Sequence, residues 1–180
     1  MDTNVFDLIQ RQKAEEECRS LMLYNEKTAS FGLSLTAEEA HELVAYRDDS
    51  LKEHRRVEFG KGILDALVFA FCDSPYIGQA DYLETLKGLT DLFYLFKNES
   101  EDKLTDDELM TFMREQFDEV CCGDLDYLGG TCLTRFVTAI RGGYRKYQAS
   151  GGKNEYEALS EEMRWDPELY RQILTELAWR

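Results

Sequence analysis

The chain has 180 residues, 43% of them hydrophobic and 12% aromatic, which suits one domain with a real hydrophobic core and excludes a disordered chain. Its 36 acidic against 21 basic side chains give a formal charge of -15, a mean field that repels nucleic acid and anionic lipid. No window approaches the run of about 20 apolar residues needed to cross a bilayer, and the N-terminus MDTNVFDLIQRQKAEEEC lacks a basic start followed by an apolar stretch, so the chain reads as soluble and cytoplasmic.

Only Pro75 and Pro167 could interrupt helices as prolines do, and β-branched residues are scattered rather than alternating. The expectation is an all-α protein, a single-domain helical bundle of about six or seven helices. The first helix runs from about Val5 to Phe31 and ends before Gly32, a residue suited to a left-handed cap. Leu21, Met22, Tyr24 and Ala29 could face a core, while QRQKAEEE, residues 10–17, is polar all round and projects into solvent.

Thr36 followed by Glu39 has the spacing at which each side chain satisfies a backbone N–H at a helix start. Ala40, Leu43, Val44, Arg47 and Leu51 then share one side, with Arg47 burying its stem and sending its charge outward. ILDALVFAFC, residues 63–72, carries Asp65 as its one charge and reads as a central helix, the most buried element of the fold. Tyr82, Leu86, Leu89, Phe93 and Phe96 follow a four-three repeat that predicts a long amphipathic helix.

Thr105 and Glu108 repeat the capping device ahead of Leu109, Phe112, Met113, Phe117 and Val120. A short helical turn is expected around Leu125–Leu128 and a longer helix from Thr131, with Leu133, Phe136, Val137 and Ile140 as its apolar face. Gly142 and Gly143 end or bend it. The organisation expected is therefore a bundle over residues 1–148, a flexible linker over 149–154, and a C-terminal helical segment over 155–180. In that segment Asp166 and Pro167 open a helix that packs on the bundle or on a second subunit.

Five cysteines, Cys18, Cys72, Cys121, Cys122 and Cys132, fit no disulfide framework and read as reduced, inert thiols. The vicinal pair Cys121 and Cys122 does not chelate readily, because neighbours on a helix point about 100° apart. No metal site or cofactor is expected. A calcium loop started at Asp118 fails, since its third, fifth and twelfth positions are Val120, Cys122 and Gly129. A cysteine nucleophile would need His41 or His54 nearby, and no spacing puts either there, so no catalytic residue is assigned.

Three places remain as candidates for binding a ligand or partner. The first is Arg55, Arg56 and Glu58 between the second helix and the apolar one, where the arginine pair is expected to satisfy helix C-terminal carbonyls. The second is Asp73, Ser74 and Tyr76. The apparent reactive trio Cys72, Asp73 and Ser74 reads as a corner, with Asp73 or Ser74 capping a helix that Pro75 opens. The two lie at opposite ends of one helix, so a shared pocket is not the default. The third is a strip free of acidic residues between Tyr127 and Asn154 that includes Arg141, Arg145 and Lys146, able to dock an acidic partner or to neutralise the protein's own acidic helices.

In RVEFGKGI, FCDSPYI, FYLFKNE and LTDDELMTFM, taken in order, the chain resembles an uncharacterised family of small bacterial helical proteins, a domain of unknown function, over about Asn25 to Leu128. The resemblance implies a bacterial, cytoplasmic origin and transfers no catalytic residue. The function expected is a non-enzymatic interaction or regulatory role, through a protein partner or self-association by the C-terminal helix, without nucleic acid or membrane. The alternative is a small-molecule binding protein or enzyme with a polar pocket between helices.

Overall fold

The computed structural model describes residues 5–58 and 62–141. The fold is an all-α helical bundle, and no strand occurs among the described residues. In chain order the helices are α1 (Val5–Thr28), α2 (Ala37–Glu53), α3 (Leu64–Phe71), α4 (Tyr82–Glu99), α5 (Asp106–Glu119), the single turn α6 (Leu125–Tyr127) and α7 (Thr134–Arg141). The chain divides within α4 into two compact units, Met1–Tyr94 and Leu95–Arg180. Residues 142–180, which hold Arg145, Lys146, the expected linker and the expected C-terminal helix, lie outside the described residues.

In the first unit Thr36 and Glu39 form the full reciprocal cap of α2. Ahead of it, the backbone of Ser34 and Leu35 is held by two side-chain amides acting as extra peptide groups. Asn25 accepts from Leu35 N and donates to its carbonyl at 2.9 and 2.7 Å. Gln79 does the same for Ser34 at 2.7 and 2.9 Å. The core beneath takes Leu21 from α1, Leu43 and Val44 from α2, Leu67 and Phe71 from α3, and Tyr82, Leu86, Leu89 and Phe93 from α4. Each fully buried apolar side chain of this kind stabilises the unit by roughly 1.5–3 kcal/mol.

Two expectations are corrected here. The apolar helix α3 is buried on one side only: Leu64, Leu67, Val68 and Phe71 are inside, whereas Ala66 and Phe69 are exposed. A helix of eight residues has room for about four positions against a core, whatever the chemistry of the rest. Pro75 does not open a helix. Residues 72–78 form turns in which Ser74 Oγ accepts from Tyr76 N at 3.3 Å, and helical structure resumes at the short 3-10 turn Gln79–Asp81 with Gly78 ahead of it.

In the second unit Thr105 and Glu108 again form the reciprocal cap. Lys97, buried at the end of α4, donates to the Leu104 carbonyl and pairs with Asp106 at 2.7 Å, which fixes the connection to α5. Phe112 of α5 stacks on Phe136 of α7 with centroids 3.7 Å apart. Between α6 and α7 the chain winds as a π turn over Leu128–Leu133, and Thr134 Oγ1 donates to the Gly129 carbonyl at 2.8 Å. The periodicity read from the sequence placed Leu133, Phe136, Val137 and Ile140 inside, and they are. Val120, assigned to the α5 face, is 38% exposed, because the helix ends at Glu119 before the stripe reaches it.

Helix exits share one device. After α1, Gly32 takes the left-handed conformation, with Gly32 N and Leu33 N bonded to the Ala29 and Thr28 carbonyls. After α2 the same pair of bonds runs from Arg55 N and Arg56 N to Lys52 O and Leu51 O, and Arg55 holds φ 55 without being glycine. The backbone N–H groups of the arginine pair thus satisfy the Lys52 and Leu51 carbonyls of α2. Because a left-handed L-residue costs about 1–2 kcal/mol, Arg55→Gly should raise the unfolding free energy by roughly 0.5–1 kcal/mol after glycine's extra unfolded-state entropy is subtracted, read from urea denaturation midpoints.

Candidate functional site

Arg47 is the centre of the polar structure in the first unit. It lies on the α2 face that carries Ala40, Leu43 and Val44, and that face turns inward, so the residue is only 2% exposed. The guanidinium is buried with its stem, which corrects the expectation of an outward charge. Its nitrogens meet Glu17 of α1, Glu58 at 2.7 Å and its neighbour Asp48 at 2.9 Å. Burial alone disfavours the charge, yet the carboxylates outweigh it and hold the guanidinium above its ordinary pKa. Glu17 belongs to the stretch expected to project into solvent, of which Lys13, Ala14 and Glu17 are half-buried.

Glu58 gathers three donors. Its Oε2 accepts from Arg47, and its Oε1 accepts from the Tyr94 hydroxyl of α4 at 2.5 Å and from Ile63 N at the start of α3 at 2.9 Å. Gly62 passes against this pair with φ 59, and a Cβ there would lie 2.7 Å from Glu58 Oε2 and 2.9 Å from Arg47 Nη1. Only glycine combines that backbone conformation with that approach.

A second cluster lies on α2 and α4. Tyr46 and Ser50 both donate to Asp91, Ser50 at 2.6 Å. The hydrogen bond to Asp91 first, then burial, pushes the Tyr46 phenol up from 10.0 to about 12. Between α1 and α2 a groove of about 270 Å³ is lined by Glu15, Cys18, Arg19, Met22, Ala37 and His41. His41 Nδ1 lies 2.6 Å from the Ala37 carbonyl, so that nitrogen carries a proton. Burial, and then Glu17, push the Cys18 thiol up, the opposite of what a nucleophile needs.

The residues singled out from sequence separate. Glu58 is tied to Arg47, whereas Arg55 is exposed on the α2 exit. Asp73, Ser74 and Tyr76 lie past the far end of α3, with Ser74 buried and Asp73 and Tyr76 exposed. Cys72 donates to the Phe69 carbonyl at 3.3 Å. Arg141 pairs with Glu99 and Glu101 at 3.4 and 3.3 Å, so it neutralises the protein's own acidic side chains.

Sequence reasoning missed a surface between α1 and α3. Ser20 donates to Asp65 at 2.8 Å, and farther along both helices the Lys27 ammonium sits 3.2 Å from the centroid of the Phe69 ring. Phe69 is 53% exposed, and Leu23, one turn before Lys27 on α1, is 65% exposed. With Ala66 and Ala70 beside Phe69 on α3, an apolar patch with a cation at its edge faces outward. The signal was the apolar composition of α3 on both sides, which was read as burial.

Residues 20–146 match the model of a family of unknown function, DUF6323. The chain belongs to that family. The match extends beyond the Asn25–Leu128 stretch on both sides; it takes in Arg47, Glu58, Tyr94 and the α1–α3 patch and leaves Glu17 outside. No curated protein and no solved structure matches the chain. Among the described residues no helix is long and apolar enough to cross a membrane.

Arg47→Leu in this family member strands Glu17 and Glu58 and should cost about 3–5 kcal/mol in urea denaturation, with part of the loss recovered when Glu58→Gln is added. Tyr46 gives a pH signature. Its phenol is harder to ionise when folded, so the stability it contributes is complete below pH 10 and is lost as the pH rises through about 12. Denaturation curves over that window should fall more steeply for the unaltered chain than for Tyr46→Phe.

Proposed function

We propose that this DUF6323 member is a non-enzymatic protein-binding module of the bacterial cytoplasm, and that it engages a different protein through the α1–α3 patch. The observation that carries this reading is Phe69, an aromatic half in solvent on a helix whose one charge is Asp65, with Lys27 over its ring and the exposed Leu23 one turn before Lys27 on α1. An aromatic anchor beside a cation suits a partner that presents an apolar side chain with a carboxylate next to it. The chain's charge of -15 opposes stacking two copies of it and favours a heterologous partner.

The small-molecule reading, which offered Arg55, Arg56, Glu58 or Asp73 as polar contacts, has less support, because Glu58 is already occupied by three donors within the fold. A photo-crosslinking amino acid placed at position 69 in cells should yield a protein adduct of one defined mass that the same residue at the exposed Asp49 does not. With that partner purified, Leu23→Asp and Lys27→Glu should each weaken binding roughly tenfold or more. Identical adducts from both positions, or a concentration-dependent dimer lost in Phe69→Ser, would overturn the reading.

A further inference from the structure

In the second unit two thiols eleven positions apart in the sequence are brought together, and they are not the vicinal pair. Cys121 lies two residues past the end of α5, where its N–H reaches back to the Gln116 carbonyl at 2.8 Å, one residue farther than an α-helix allows. Cys132 lies in the π turn Leu128–Leu133. Both are buried, neither is disulfide-bonded, and their sulfurs are 3.6 Å apart. Cys122, next to Cys121 in sequence, is exposed and holds φ 50.

We propose that Cys121 and Cys132 form an oxidative modification site that closes to an intramolecular disulfide, with a small peroxide as oxidant. A disulfide needs its sulfurs about 2.0 Å apart, so the pair must close by roughly 1.6 Å. The backbone is irregular on both sides, at a helix exit and in a π turn, and can give that distance without breaking a regular α-helical segment.

The chemistry balances with hydrogen peroxide alone. One thiolate attacks the peroxide, an S–O bond forms as the O–O bond breaks, and a sulfenic acid and water result once the leaving oxygen is protonated. The second thiolate then attacks that sulfur, the S–S bond forms, the S–O bond breaks, and a second water leaves. Two thiols lose two electrons and two protons, and peroxide is reduced to two waters. The hydrogen bond between the two sulfurs, and then burial, hold the Cys121 thiol above its ordinary pKa, so the first step is slow. Bulky reagents meet the exposed Cys122 first; peroxide is small enough to reach the buried pair through local opening at the α5 exit.

The test uses the full chain carrying Cys122→Ser, a change at an exposed position that leaves the assignment unambiguous. The reduced protein is treated with hydrogen peroxide, alkylated in denaturant, and cleaved at Asp124 and Asp126, which lie between the two cysteines. The expected product is a cross-linked pair of peptides carrying Cys121 and Cys132, lighter by two hydrogens than the reduced pair and separated by dithiothreitol. Adding Cys132→Ser should abolish the cross-link and leave a sulfenic acid on Cys121 that a 1,3-diketone probe traps. Full alkylation of both cysteines after peroxide, or oxidation of either one to sulfinic acid without a cross-link, would overturn the proposal. In the unaltered chain, a disulfide that uses Cys122 in place of Cys132 as the main product would overturn it equally.

Discussion

The first unit depends on one buried charge. A guanidinium taken out of water carries a desolvation cost of several kcal/mol, which is tolerable only if its donors are matched by carboxylates held in place. Arg47 obtains them from α1 through Glu17 and from the segment after α2 through Glu58. Glu58 is held in turn by the Tyr94 hydroxyl of α4 and the first N–H ahead of α3. One side chain therefore sets the mutual positions of four helices. The requirement reaches the backbone at Gly62, where any side chain would enter the ion pair. Apolar contact alone would leave helices free to slide; a network with fixed donor directions does not.

The second unit solves the same problem with smaller means. Lys97 binds the Leu104 carbonyl and Asp106, so the loop leaving α4 is tied to the start of α5. Glu101 and Asp102 both hold left-handed φ within that loop. Such conformations cost free energy for residues other than glycine, and they persist where surrounding bonds over-determine them. Beyond α5 the backbone departs from α-helical bonding twice within a few residues, once at Cys121 and once in the π turn. This irregular stretch is where two sulfurs meet.

These constraints shape the functional reading. Three charged residues of the first unit serve the packing: Arg47 and Glu58 bind each other, and Asp91 accepts two hydroxyls. The groove between α1 and α2 has Arg19 and His41 on its lining, but its one thiol is held in the neutral form. On the α1–α3 face the side chains presented to solvent include the apolar Phe69 and Leu23, with Lys27 at the edge.

The sequence alone determined what short-range rules control. Thr36 with Glu39 and Thr105 with Glu108 were read as caps and form them, since a cap needs only residues three apart. The Tyr82 to Phe96 stripe was read as buried and is, because helical periodicity fixes which side chains share a face. Tertiary structure decided whatever needed distant partners. Whether the charge of Arg47 reached water depended on Glu17 thirty residues before it and Glu58 eleven after it. Whether Phe69 was core or surface depended on how many sides of α3 found neighbours. Cys121 met Cys132 rather than Cys122 because adjacent side chains diverge, while a π turn can return a later one to the same point. A local pattern states what a residue can do; long-range packing decides which of those things it does.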